Sequence, residues 1–178
     1  MKFKIGTDDF KELLKQDGYF LDKSLLAENV VNGNKVTLML RPRRFGKTLN
    51  MTLLKYFFEK SEEDSSYLFE GLQIKDSPVW EDQGKYPVIY LSLKDIKVNS
   101  WEDAFYFLKD KIRKLYSHFD YLKKVEDPIF AQKYRAIVEA SGTDSMYMAT
   151  LADLLECLSI YHGRPVVLLI DEYDTPII

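Results

Sequence analysis

The sequence has few of the residues on which several classes of protein depend. Its 178 residues include one cysteine, Cys157, and two histidines, His118 and His162. A single cysteine excludes an internal disulfide framework and is typical of a reducing compartment. Because no cluster of cysteine and histidine surrounds either histidine, we expect no zinc site. Cys157 falls in an apolar helical stretch, so we expect it to pack in the core.

Long apolar runs and an excess of either charge are also lacking. No run approaches the ~18 apolar residues that a bilayer-spanning helix needs. The first ten residues, MKFKIGTDDF, lack the apolar segment of a secretory signal. We therefore expect a cytoplasmic protein with no membrane partner. The net charge is only -3, so the composition does not indicate nucleic-acid binding.

Helical and strand-like patterns alternate along the chain. Alternation of this kind predicts an α/β fold, a parallel sheet flanked by helices. Three core strands are few for a nucleotide-binding sheet, so we expect the natural protein to continue after the third. Apolar spacing on 101–116 predicts a core stripe rather than a base-stacking platform. The predicted strands are 36–40, 86–93 and 165–170, and the predicted helices are about 7–16, 24–33, 48–59, 101–116, 128–140 and 145–161.

The strongest functional pattern runs from Lys35 to Asn50. An apolar stretch leads into a basic turn, and the turn ends in Gly46-Lys47-Thr48 at the start of an amphipathic helix. This is the layout of a phosphate-binding loop, in which helix-start amides face an anion and the threonine hydroxyl reaches a magnesium ion. The full pattern has a glycine where this chain has Arg41, so the match is partial.

The third predicted strand ends in a second candidate element, Asp171-Glu172. At the carboxyl end of a parallel strand, an aspartate can hold magnesium and the adjacent glutamate can orient and deprotonate a water molecule. The alternative is an ordinary buried strand followed by two solvated acids. Tyr173 and Asp174 either line the same site or lie in a simple turn.

The entry to the loop, Arg41-Pro42, departs from the usual pattern. A residue before proline is pushed toward extended geometry, and proline contributes no amide to a phosphate cradle. Three interpretations of the loop arginines stay open: phosphate ligands, a nucleic-acid contact, or solvated charges. Asp22 and Lys23 either border the nucleotide or form a surface salt bridge.

RPRRFGKTLN, followed later by LLIDEYDTPI, resembles the AAA-ATPase-like family of bacterial and archaeal proteins. Supporting segments are GYFLDKS from Gly18 and GKYPVI from Gly84. The resemblance covers nearly the whole chain. It implies the N-terminal part of a P-loop domain, with a helical lead-in at 1–34 and a nucleotide-binding core at 35–178. Many members carry a PD-(D/E)xK nuclease-like domain after it, through which nucleic acid would be a further partner.

The resemblance also implies roles for individual residues. Thr48 and Asp171 would hold Mg²⁺, and Glu172 would be the water-activating base. We expect magnesium-dependent ATP binding, with hydrolysis in the complete protein and slow or no turnover by these 178 residues. The alternative is a degenerate loop in a scaffold that binds a protein or nucleic acid. ATP or GTP preference and homo-oligomer formation stay open. The residues implied in nucleotide binding are Arg43, Arg44, Phe45, Gly46, Lys47, Thr48 and Leu49.

Overall fold

Short helices and 3-10 turns form the first of the two units into which the chain divides, Met1–Val88 and Ile89–Ile178. The computed structural model describes residues 6–40 and 45–175. Each of the three helices predicted in the first half forms, with ends displaced by a few residues. The helices are α1 (Phe10–Leu14), α2 (Leu26–Val31) and α3 (Lys47–Phe58), and the 3-10 turns are Ser66–Phe69, Gln73–Asp76 and Pro78–Asp82.

The caps of the first two helices differ from those expected. Asp9, not Thr7, caps α1, and its side chain accepts the amide hydrogen of Glu12. Thr7 instead accepts the Asp9 amide at 3.2 Å. Helix α2 has no side-chain cap, because its N-cap residue is Leu25; the hydroxyl of the preceding Ser24 accepts the amide of Ile74. A hydroxyl used in a long-range contact is not available to the adjacent helix.

The core of the first unit is aromatic. Phe57 on α3 lies edge-on to Phe58 and Phe69, with ring centroids 5.0 and 5.5 Å apart. Phe10 on α1 contacts Phe69 at 5.4 Å. All four rings are at most 2% exposed. Edge-to-face and tilted pairs at these distances stabilise the packing beyond the area that they bury. They hold α1 against the helix that follows the candidate loop.

The strand predicted at 36–40 does not form. Val36 is 85% exposed, Leu38 60% and Leu40 76%, and the segment has no regular secondary structure. A strand is stabilised by ladder hydrogen bonds and by a buried face. Within the described residues, neither is present for this segment. The prediction of three core strands was therefore wrong, because the sheet has two strands in the ranges 6–40 and 45–175.

The second unit combines this small sheet with three long helices. Strands β1 and β2 pair in parallel, and the Leu93 amide extends the ladder by donating to the Asp171 carbonyl at 3.0 Å. Ser100 caps α4 as predicted, and Gly163 ends α6 with a φ of 61°. The elements are β1 (Val88–Ser92), α4 (Trp101–His118), a 3-10 turn (Asp120–Lys124), α5 (Pro128–Val138), α6 (Asp144–His162) and β2 (Val167–Asp171).

Helices α4, α5 and α6 share one core with the sheet. Tyr116 is 1% exposed, and its hydroxyl donates to the Thr150 carbonyl at 2.7 Å. The predicted stripe on α4 is confirmed except at Trp101, which is 66% exposed at the start of the helix. Cys157 packs in this core as expected, and burial raises the pKa of its thiol to about 11.

Strand β2 is less buried than its apolar sequence predicts. Leu169 and Asp171 are buried, whereas Val167, Leu168 and Ile170 are partly exposed. The physical reason is the size of the sheet: among the described residues, β1 is the one strand hydrogen-bonded to β2. A strand needs neighbours on both edges and cover on both faces before it is buried throughout.

Candidate functional site

Gly46 begins the helix on which the predicted phosphate site depends. It is the N-cap of α3, with φ 71° and ψ 29°, and its carbonyl accepts the Asn50 amide at 2.9 Å. Residues with a side chain rarely adopt this left-handed conformation, and glycine adopts it at little cost. A Cβ at Gly46 would lie 3.9 Å from Leu49 Cβ, which is ordinary contact. The backbone angle, rather than lack of space, therefore explains the glycine.

The residues after Gly46 lie in the first turn of α3. Lys47, Thr48 and Leu49 are partly exposed there, and Phe45 just before them is 60% exposed. First-turn amides of an α-helix have no acceptors within the helix, and the helix dipole is positive at this end. The structure thus brings together a lysine, a hydroxyl and helix-start amides. Arg43 and Arg44, the other predicted ligands, lie outside the described residues.

A partly buried hydrogen-bond network joins the later turns of α3 to the start of α1, and it was not predicted. The Thr52 hydroxyl accepts the Phe10 amide at 3.0 Å, and it also lies 3.0 Å from the Leu49 carbonyl. One turn later, the Tyr56 hydroxyl donates to Asp9 at 3.0 Å. Burial and the Asp9 carboxylate both raise the pKa of Tyr56. The i, i+4 spacing of Thr52 and Tyr56 was the available signal, although Lys47, Asn50 and Lys55 make the helix polar at other positions too.

Asp22 is a structural residue of the first unit. Its carboxylate accepts the amides of Ser24 at 2.8 Å and Gln73 at 2.9 Å. Burial acts to raise the pKa of Asp22, but the two amides outweigh it and hold the pKa below its usual value. These contacts tie the segment before α2 to the second 3-10 turn. This arrangement is not the surface salt bridge considered for Asp22, and its position beside the nucleotide stays a prediction.

The second predicted element lies at the carboxyl end of β2. Asp171 is 1% exposed, and its backbone carbonyl closes the β1–β2 ladder. Burying a carboxylate is costly unless hydrogen bonds or a cation offset the loss of water. Of the two interpretations of the acidic pair, solvated acids are therefore wrong for Asp171. Tyr173 is 47% exposed and Asp174 is exposed in the turn that follows.

Glu172 adopts a backbone conformation unusual for its residue type. Its φ is 53°, and Ala140 is the other non-glycine residue with positive φ in the described ranges 6–40 and 45–175. The Thr175 amide donates to the Glu172 carbonyl at 3.0 Å, and the Thr175 hydroxyl donates to Oε2 at 3.2 Å. Such outliers persist where surrounding contacts enforce them, and they cluster at functional sites.

Clusters of metal-ligating side chains are lacking in the part of the chain that the structure describes. No group of three or more histidine, cysteine or acidic residues able to hold a metal occurs among the described residues. Mg²⁺ does not require such a group, since it commonly takes one or two protein oxygens together with water and phosphate oxygens. Each unit has an oxygen of that kind, the Thr48 hydroxyl in the first and the buried Asp171 carboxylate in the second. Separately, no helix in residues 6–40 and 45–175 is both long and apolar enough to cross a membrane.

Comparison with known proteins gives one family and one relative. The model of a family described as predicted AAA-ATPase matches residues 4–178. An uncharacterized protein from the vnfD 5' region of Azotobacter chroococcum mcd 1 is 27% identical over 178 residues. The match covers 99% of this chain and 30% of that protein, so the chain spans less than a third of its relative. No solved structure matches the chain.

Proposed function

Because the chain belongs to the predicted AAA-ATPase family, we propose that it binds ATP with Mg²⁺ at the N-terminus of α3. The observation that carries this proposal is the first turn of that helix. There Gly46 adopts a left-handed conformation at the N-cap, and Lys47 and Thr48 follow it directly. A helix start of this composition has amide donors, a cation and a hydroxyl in one turn, which suits a nucleoside triphosphate.

Each of these groups has a specific part in the proposal. Lys47 would contact the terminal phosphates, Gly46 would allow close approach of the backbone, and Thr48 and Asp171 are each proposed as ligands of Mg²⁺. Phe45 and Leu49 flank the phosphates. When bound, Mg²⁺ neutralises charge on the phosphate oxygens. Arg43 and Arg44 are proposed as additional phosphate ligands, because guanidinium groups bind phosphate in a bidentate manner.

We further propose that the full-length protein hydrolyses ATP with Glu172 as the base. The Glu172 carboxylate would orient a water molecule for in-line attack and accept its proton. The bond between Thr175 and Oε2 supports this role, because it restricts where the carboxylate can point. We propose a cytoplasmic location for the protein.

One observation favours the alternative, a scaffold that binds a partner without nucleotide. The segment 36–40 ahead of the loop is exposed and forms no strand, whereas a phosphate-binding loop usually follows one. A calorimetric titration with ATP, with and without Mg²⁺, on the wild type and Lys47→Ala separates the two functions. Binding that needs both Mg²⁺ and Lys47 supports the nucleotide site. Binding that is indifferent to Lys47, or no binding, supports the scaffold.

A further inference from the structure

Helix α3 carries the proposed phosphate site at one end and contacts the N-terminal segment through two side chains on one face. Thr52 and Tyr56 are four residues apart, so their side chains lie on the same face of the helix. Both contact the start of α1, through Phe10 and Asp9 respectively. These bonds join residues 42 and 47 positions apart in sequence. We call the segment Thr7–Leu14 together with Thr52 and Tyr56 the brace.

Within the brace, the Oγ1 atom of Thr52 links the segment Thr7–Leu14 to the first turn of α3. This Oγ1 accepts the Phe10 amide at 3.0 Å, and its one hydrogen faces two carbonyl acceptors, that of Leu49 at 3.0 Å and that of Asp8 at 3.3 Å. Leu49 is three residues after Gly46. A shift of the first turn therefore changes the geometry at Oγ1 and, through it, at the Phe10 amide. Thr52 is only 7% exposed, so water does not readily replace either bond.

Apolar packing makes the brace stiff. Phe10 is 1% exposed and Leu13 is 3% exposed, and Phe10 contacts the rings of Phe20 and Phe69. Asp9 uses both carboxylate oxygens, one on the Glu12 amide and one on the Tyr56 hydroxyl. Close-packed interiors transmit small displacements rather than absorbing them. These contacts thus hold Thr52 in place on α3, only one turn from the proposed phosphate-binding residues.

We propose that Thr52 is a positioning residue for the phosphate-binding turn, acting through the N-terminal segment. This inference rests on the proposed nucleotide site. It assigns the start of the chain a part in binding, beyond its part in packing. Phosphate contact at the first turn of α3 and docking of α1 on Thr52 then favour each other. By linkage, nucleotide stabilises the docked segment to the same extent that docking strengthens nucleotide binding.

Residue-resolved amide hydrogen exchange tests the connection without nucleotide. The variants are Thr52→Val, which removes the hydroxyl at nearly constant volume, and Thr52→Ser, which keeps it. In Thr52→Val we expect faster exchange at both Phe10 and Asn50, whose amide bonds to Gly46, by about tenfold. Thr52→Ser should restore wild-type rates. Faster exchange at Phe10 alone would overturn the inference, because removal of the Thr52 hydroxyl would then have no effect on the first turn of α3.

Affinity for Mg·ATP provides the second readout. Thr52→Val should raise the Kd by about tenfold, and Thr52→Ser should restore it. Val79→Ala is the matched control, because Val79 is 7% exposed in the same unit and outside the brace. An equal rise in Kd for Val79→Ala would mean that a general loss of stability causes the effect, and it would overturn the inference. In the wild type, Mg·ATP should also slow exchange at the Phe10 amide.

The two proposals fail in different ways. If the wild type and Lys47→Ala show the same binding, or none, the nucleotide site is wrong. The exchange rates without nucleotide then still decide whether Thr52 joins the N-terminal segment to the first turn of α3. If binding depends on Lys47 but exchange at Phe10 does not respond to Mg·ATP, the nucleotide site stands. In that case the positioning role of Thr52 is wrong.

Discussion

Thr175 and Glu172 are joined twice, through a backbone bond of 3.0 Å and a side-chain bond of 3.2 Å to Oε2. Together the two bonds close a turn directly after β2, with Glu172 in the left-handed region at φ 53°. A glutamate is held there against its own backbone preference. Backbone conformations of this kind cluster at active sites and ligand clamps, and this one lies directly after the buried Asp171.

Replacing Glu172 by glycine should therefore stabilise the protein. Glycine adopts positive φ freely, so relief of strain should raise the free energy of unfolding by about 0.5–1 kcal/mol, even though the bond from Thr175 is lost. Urea denaturation measures the change. Ala140→Gly is the control, because Ala140 has φ 56° at the end of α5 and lies outside the candidate site. A loss of stability confined to Glu172→Gly would mean that its contacts outweigh the strain.

Gly46 and Gly163 form a second matched pair. They have φ of 71° and 61°, and neither would bring a Cβ within 3.4 Å of another atom. Alanine at either position should lower the free energy of unfolding by about 1 kcal/mol, because only the backbone is strained. Mg·ATP affinity should fall in Gly46→Ala alone, by about tenfold. If calorimetry gave the same affinity for both variants, Gly46 would have no specific part in phosphate binding.

The second unit should lose stability in alkaline solution. Burial raises the pKa of Cys157 from 9.0 to about 11 and the pKa of Tyr121 from 10.0 to about 12. A group whose folded pKa is raised stabilises fully below its unfolded pKa, and this stabilisation is lost as the pH rises through the folded value. These two groups should thus make the free energy of unfolding fall between about pH 9 and 12.

Variants identify which ionisable groups cause this loss of stability at alkaline pH. In Cys157→Ala the fall between pH 9 and 11 should be smaller by on the order of 1 kcal/mol, because the buried thiol no longer ionises on unfolding. Tyr121→Phe should flatten the upper part of the same range. The change in slope is the measured quantity, so any uniform destabilisation by a variant does not matter. Unchanged slopes in both variants would contradict the burial of these groups.

The helices could be predicted from sequence because their signals are local. Ser100 caps α4, Pro128 begins α5 and Gly163 ends α6, each through residues that act within a turn. The family could also be predicted, because the motifs that identify it are contiguous in sequence. Helix α3 begins at Lys47, directly after the glycine that the phosphate-loop pattern requires.

Features that depend on distant residues could not be predicted. The stretch 36–40 has strand-like composition, but composition does not show whether a neighbour completes a ladder, and the segment is exposed. Ser24 was predicted to cap a helix, because the local sequence does not show that the amide of Ile74, fifty residues later, donates to its hydroxyl. The contacts of Thr52 with Phe10 and of Asp22 with Gln73 were missed for the same reason.

The central claim is that the first turn of α3 binds the phosphates of Mg·ATP. Its most direct test is calorimetric titration of the wild type, Lys47→Ala and Lys55→Ala with ATP at fixed Mg²⁺. Lys55 is the matched control, because it lies two turns further along α3 and pairs with Glu59 at 3.7 Å. Lys47→Ala loses one charge-assisted contact, so its affinity for Mg·ATP should fall at least about tenfold. The affinity of Lys55→Ala should stay near that of the wild type. Equal affinities for all three proteins, or no binding by the wild type, would contradict the claim.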